Sequence, residues 1–167
     1  MTRTSDRLRR SRGWPEAPSA GRVAISRSAL RDRLAGLMKV PFFSELPKRH
    51  VREIARTAWI SEFPEQAVIC REGSVESAFY VLINGRARLE RSGRKTARLS
   101  AGEFFGEISL LDPGPRTASV IGETPVRCVQ LVGSDFRAML AKEPLLASRV
   151  AIGLARRLRR VERPRVE

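Results

Sequence analysis

Phe105-Gly106-Glu107-Ile108-Ser109-Leu110-Leu111-Asp112-Pro113-Gly114-Pro115-Arg116-Thr117-Ala118-Ser119-Val120 is the stretch that orders the rest of this chain. Gly106 lets backbone approach a ligand closely, and residues 107–111 are long enough for one helical turn whose first N–H groups lack internal partners. Such free amides attract an anion. Asp112-Pro113-Gly114-Pro115 cannot continue a helix, and Arg116 follows as a charged fork suited to phosphate oxygens. Glu107 is a poor phosphate partner but a good acceptor for a sugar hydroxyl. A sugar on one side and a phosphate on the other describe a nucleotide.

Around this run lie short segments with strand character: Val68–Cys70, Phe79–Ile83, Arg86–Glu90, Thr96–Leu99, Ala118–Ile121 and Val126–Leu131. They are β-branched or alternating and are separated by turn signals, which predicts a β-barrel or jelly roll. Asn84-Gly85 and Ser92-Gly93 read as hairpin turns. Helices flank the strands. Residues 47–58 place Val51, Ile54, Ala55 and Ala58 on one face, with His50 assigned to the polar side; Ser134 reads as the cap of a helix through Phe136, Met139 and Leu140. Between residues 145 and 161, Ala147, Ala151, Leu154, Leu158 and Val161 form an apolar seam with heptad spacing. That seam either packs back on the barrel or pairs with a second copy.

The ordered run at 105–120 resembles the phosphate-binding cassette of cyclic nucleotide-binding domains. The resemblance extends to Val40-Pro41-Phe42-Phe43-Ser44-Glu45-Leu46, similar to the family's entry into its first helix, and to residues 79–85, similar to its central hairpin. It covers roughly residues 37–160. It implies a mainly β fold with flanking helices, a β-barrel or jelly roll bearing the cassette, and a C-terminal helix that closes over the base. It further implies that Glu107 takes the ribose 2′-OH and Arg116 the cyclic phosphate, with backbone groups at Gly106 and Ile108 and at Thr117 or Ala118 completing the cradle. The ligand is then cAMP or cGMP; a hydroxyl at Thr117 is compatible with either. Leu154 and Arg157 are the lid candidates. The loop at residues 73–77 departs from the family in lacking its frequent Asp.

Charge is concentrated at the ends. The chain has 167 residues and a net charge of +14. Residues 1–33 hold nine Lys/Arg against three acids and residues 149–167 seven against two, whereas residues 34–148 hold sixteen against thirteen. Residues 1–25 read as a basic, disordered segment and residues 26–167 as one domain: helical entry 26–58, barrel 59–132, C-terminal helices 133–161. Without aromatic-basic interleaving or a helix-turn-helix pattern, the basic tail reads as solvated and not as a nucleic-acid contact. No apolar run reaches the length of a membrane span and no secretory core is present, so a cytoplasmic location is expected.

Cys70 and Cys128 fall in apolar strands and are expected as reduced, buried thiols; a metal site would need more His and Cys than this chain offers. No nucleophile-base-acid set is apparent, so catalysis is not expected. The leading expectation is a stand-alone, non-catalytic cyclic-nucleotide receptor that signals through its C-terminal helix to a separate effector protein. The alternatives are an interaction domain using its basic ends without a nucleotide, and a fragment of a cAMP-regulated transcription factor. The latter needs a helix-turn-helix beyond the C-terminal helix, within which the sequence ends.

Overall fold

The computed structural model describes residues 21–22 and 27–162. Three helices come first: α1 (Arg27–Leu37), α2 (Pro41–Ser44) and α3 (Lys48–Thr57), preceded by the two-residue strand β1 (Gly21–Arg22). The strands β2 (Trp59–Phe63), β3 (Val68–Cys70), β4 (Ala78–Asn84), β5 (Ala87–Arg91), β6 (Arg94–Leu99) and β7 (Phe104–Phe105) follow. The short helix α4 (Glu107–Leu111), strands β8 (Ser119–Gly122) and β9 (Val126–Val132), and helices α5 (Gly133–Lys142) and α6 (Pro144–Glu162) complete the order. Among the described residues the strands make two sheets, β1-β2-β9-β4-β7 and β3-β8-β5-β6, whose pairs are antiparallel. The fold is mainly β with flanking helices, a jelly roll.

The unbroken apolar run of β4 is explained by burial on both faces. Phe79 and Val81 point into a core shared with the helices, and Ala78, Tyr80 and Leu82 into the core between the sheets. In the helical core Phe43 meets Phe79 and Phe136 edge-on, with ring centroids 5.9 and 6.1 Å apart. Gly36 on α1 is there for space: a Cβ would lie 2.7 Å from Ile83 Cγ2 and from Val129 Cγ2. Arg33, fully buried, donates from Nη1 to the Ala58 carbonyl at 2.5 Å, closing the end of α3. At the outer edge of the second sheet, β6 carries Arg94, Lys95 and Arg98, charges that discourage another strand from adding there.

All six expected strands form, but one turn is different in kind. Ser92-Gly93 makes a two-residue hairpin between β5 and β6, with both residues at positive φ (52° and 74°), the geometry of a type I′ turn. Asn84-Gly85 does not make a hairpin. It is the corner where the chain leaves the first sheet for the second, since β4 pairs with β7 and β9 while β5 pairs with β6 and β8. Gly85 sits at φ 88°, where an added Cβ would meet the Pro125 carbonyl at 2.2 Å.

The helices bring further corrections. His50 is buried, not on the polar side of α3, because it lies four residues before Ile54 on the same face. Its Nε2 is 3.6 Å from Glu143 Oε2. Ser134 does not cap α5: β9 runs straight into the helix, Val132 holds the cap position, and the Gly133 amide donates to the Ser77 carbonyl. On α6 the packed face is Leu146 and Val150, with Leu154 partly buried behind them, while Ala151 and Leu158 of the expected seam are exposed. The helix does pack back on the body, through Leu146, Val150 and Leu154, of which Leu154 belongs to the expected seam. The expected disordered segment falls outside the described residues, except for Gly21–Arg22, which pair with Ser61 and Glu62.

Candidate functional site: an anion pocket at the cassette

The pocket is built where β7 ends. Gly106 takes the left-handed conformation (φ 89°, ψ 9°) as the cap of α4, and a Cβ there would stand 2.4 Å from the Ala78 carbonyl and 2.6 Å from Arg116 Nη1. Both conformation and space therefore demand glycine. The close approach brings the start of α4 against the Arg116 guanidinium. At the other end of α4, the Asp112 amide donates to the Ile108 carbonyl at 2.8 Å, and Pro113 and Pro115 carry the chain away to Arg116.

Arg116 is held at three points. Its amide donates to the Ser74 carbonyl at 2.9 Å, its carbonyl accepts from the Gly73 amide at 2.8 Å, and Nη2 donates to the Ala78 carbonyl at 2.7 Å. The loop at residues 73–77, for all that it lacks the family's Asp, thus anchors the backbone of Arg116. The residue is only 4% exposed, yet its Nε and Nη1 are buried with no protein partner. Buried polar groups are almost always hydrogen-bonded, and an unpaired buried cationic donor is expensive. Two such donors beside a cavity fit a ligand that is anionic and presents more than one acceptor, as a phosphate does.

The six residues singled out from sequence, Gly106, Glu107, Ile108, Arg116, Thr117 and Ala118, all line this one cavity. The cavity opens to solvent, and the space it encloses together with its mouth is about 490 Å³. Glu107 and Ala118 are half-buried, Thr117 is exposed, and Ile108 is 57% exposed at the rim. Sequence reading missed Cys70, Leu89, Phe105, Ser109 and Val120 as lining residues. Leu89 could have been found from the alternation of β5, in which Ala87 and Leu89 face inward; Cys70 enters through its register opposite Val120, which no local signal reveals. Among the described residues, none of α6 lines the cavity. Leu154, a lid candidate, packs instead against the helical core, and the side chain of Arg157 lies outside the described residues.

The electrostatics of the pocket show the reach of Arg116. Burial pushes the Cys70 thiol up to about 11, against a smaller pull downward from the Arg116 charge. Tyr80, under the same two influences and with burial again the larger, is also raised. Cys70 is therefore a neutral, apolar wall of the cavity at physiological pH, not a nucleophile. Both cysteines are free and buried.

The fold is a jelly roll whose cassette brings a buried guanidinium, a carboxylate and a glycine-capped turn to one cavity, the architecture of a small-ligand binding module. The model of the cyclic nucleotide-binding domain matches residues 60–143, half of the chain, which thus belongs to that family. The chain is 36% identical over 105 residues to the cyclic AMP receptor protein of Thermus thermophilus, covering 60% of this chain and 49% of that protein. It is 32% identical over 111 residues to a cyclic nucleotide-gated potassium channel of Rhizobium etli, covering 66% and 31%. The crystal structure of the Thermus thermophilus catabolite activator protein superimposes with a TM-score of 0.64 at 34% identity, over 73% of this chain and 60% of that one. The chain spans half or less of the length of these two curated relatives. Among the described residues no helix is long and apolar enough to cross a membrane.

Proposed function

We propose that this chain is a non-catalytic receptor for a cyclic nucleotide, with cAMP the leading ligand and cGMP the competitor. The observation that carries the reading is the buried Arg116, whose Nε and Nη1 are left without a protein partner beside the cavity. A cyclic phosphate offers two exocyclic oxygens to that fork. Glu107, half-buried on the same wall, accepts from the ribose 2′-OH, and backbone amides at Gly106 and Ile108 and at Thr117 or Ala118 complete the cradle. The printed name of the Thermus thermophilus relative favours cAMP.

The domain is taken as residues 26–167, with the barrel at 59–132 as the sensor. Its output passes through α5 and α6 to an effector protein. Relatives couple the same module to unlike outputs, a receptor protein and a potassium channel, so the effector is recognised outside the shared barrel. Leu145 and Ile152, half exposed seven residues apart on α6, are where a second copy would dock in a homodimer.

Titration calorimetry with cAMP and with cGMP tests the reading, with Arg116→Ala as the control. Saturable binding that falls by several kcal/mol in the variant, on the scale of about 3–5 for breaking a buried ion pair, is expected. Binding of neither nucleotide, or equal affinity in variant and parent, would remove the pocket from consideration as a nucleotide site.

A further inference from the structure

Ser77 lies next to Ala78, whose carbonyl holds the Arg116 side chain, and it does something parallel for the opposite wall of the pocket. Its hydroxyl donates to the Ser109 carbonyl of α4 at 2.8 Å and accepts from Arg137 Nη1 of α5 at 2.9 Å. The direction of this chain is fixed by chemistry. A guanidinium can only donate and a carbonyl only accept, so the arginine occupies a lone pair of the hydroxyl and leaves its single proton for Ser109.

Gly133 supports the joint independently. Its φ is not positive, so no backbone conformation demands glycine in the first turn of α5, where glycine costs about 1 kcal/mol relative to alanine. Space demands it instead: a Cβ would lie 1.8 Å from Ser77 Oγ and 2.8 Å from Arg137 Nη1. The bare backbone lets the two side chains meet, while the Gly133 amide donates to the Ser77 carbonyl at 2.8 Å.

We infer that Ser77 and Arg137 are positioning residues for ligand binding: a polar strut from α5 that fixes the height of α4 over the Arg116 guanidinium. The inference rests on the pocket being the ligand site. Dipeptide Ser77-Ala78 then sets both walls of that site, the guanidinium through a carbonyl and the cassette turn through a hydroxyl.

The test uses the full chain with Ser77→Ala, Arg137→Met and the double variant; methionine keeps an apolar stem while removing the donors. Each single variant should weaken cAMP binding about five- to tenfold, the worth of one hydrogen bond in a pre-organised site. Because the two residues act in series, the double variant should be no weaker than the worse single one. Singles that bind cAMP like the parent while melting earlier would reduce the strut to a structural contact, and a double variant weakened about 25-fold or more would make the two residues independent.

Hydrogen exchange in the ligand-free protein decides the strut without reference to any ligand. The Asp112 amide at the end of α4 should exchange faster in both single variants, and unchanged exchange would overturn the inference. A parent that fails to bind cAMP, or an Arg116→Ala variant that binds normally, counts against the nucleotide site alone.

Discussion

Replacing Arg116 by methionine should make the ligand-free protein more stable while abolishing its function. The guanidinium is 4% exposed and satisfies one of its buried groups through Ala78, leaving Nε and Nη1 unpaired. Each unpaired buried donor costs about 1–3 kcal/mol, so two cost about 2–6. Against this, the lost bond from a charged donor to Ala78 is worth about 1.5–3 kcal/mol. Taken at mid-range, about 4 kcal/mol against about 2, the balance favours Arg116→Met by about 2 kcal/mol, or about 4 °C or more in melting temperature for a chain of this size. Ligand works against that order. At a cAMP concentration 100 times the parent's Kd, the parent gains about 2.7 kcal/mol, and the variant, having lost about 3–5 kcal/mol of affinity, gains almost nothing. Thermal melts of both proteins with and without cAMP read all four states. A variant that melts below the parent without ligand would show that the unpaired donors cost less than the bond to Ala78, and equal rises with cAMP would take Arg116 out of the site.

Three further outcomes follow from the same geometry. Gly106→Ala must place a Cβ against the Ala78 carbonyl and Arg116 at a left-handed φ, so it should destabilise the fold by about 2 kcal/mol or more, the conformation alone costing about 1–2, and weaken cAMP binding at least about tenfold by calorimetry. Glu107→Ala should narrow the preference for cAMP over its 2′-deoxy analogue; a variant that rejects the analogue as strongly as the parent would remove the carboxylate from the ribose. Burial raises the thiols of Cys70 to about 11 and of Cys128 to about 12, so the folded state holds their protons more tightly than the unfolded one. That contribution to stability is complete below the ordinary thiol value near 9 and is lost as pH rises from there toward 11–12; urea midpoints should fall over that window, less steeply in Cys128→Ala.

The cassette was legible because its chemistry is local. Gly106, Glu107 and Arg116 lie within eleven consecutive residues, and the Pro-Gly-Pro break between helix and arginine brings them to one cavity without help from the rest of the fold. What escaped depends on contacts between distant segments. Asn84-Gly85 has the composition of a hairpin turn, but whether β4 and β5 share a sheet is settled by competition for β9 and β8, which no dipeptide records. Cys70 and Leu89 reach the pocket through cross-strand register. The face of α6 could not be read because both candidate stripes are apolar, and the choice falls to what α2 offers. Arg149 donates to the Glu45 carbonyl at 2.8 Å and Arg156 to the Glu45 carboxylate at 2.9 Å, which turns Leu146 and Val150 inward.

Among the described residues, the side chain left with two unpaired buried nitrogens is one that lines the cavity. Most of the chain is consistent across levels: β4 is apolar because both its faces are covered, β6 is charged because it is an edge, and Ser92-Gly93 sits where a type I′ turn is needed. Arg116 departs from that consistency, a charged side chain buried with two donors to spare, and Gly106 lets it stay close to α4. A core arranged for stability alone would fill that space with an aliphatic residue and give up the glycine. The unspent donors are a cost in the ligand-free state that an anion drawn to the guanidinium would offset. The contacts that already fix the arginine reach β4 and the loop at 73–77, whose last residue, Ser77, is in turn bonded to Arg137 of α5.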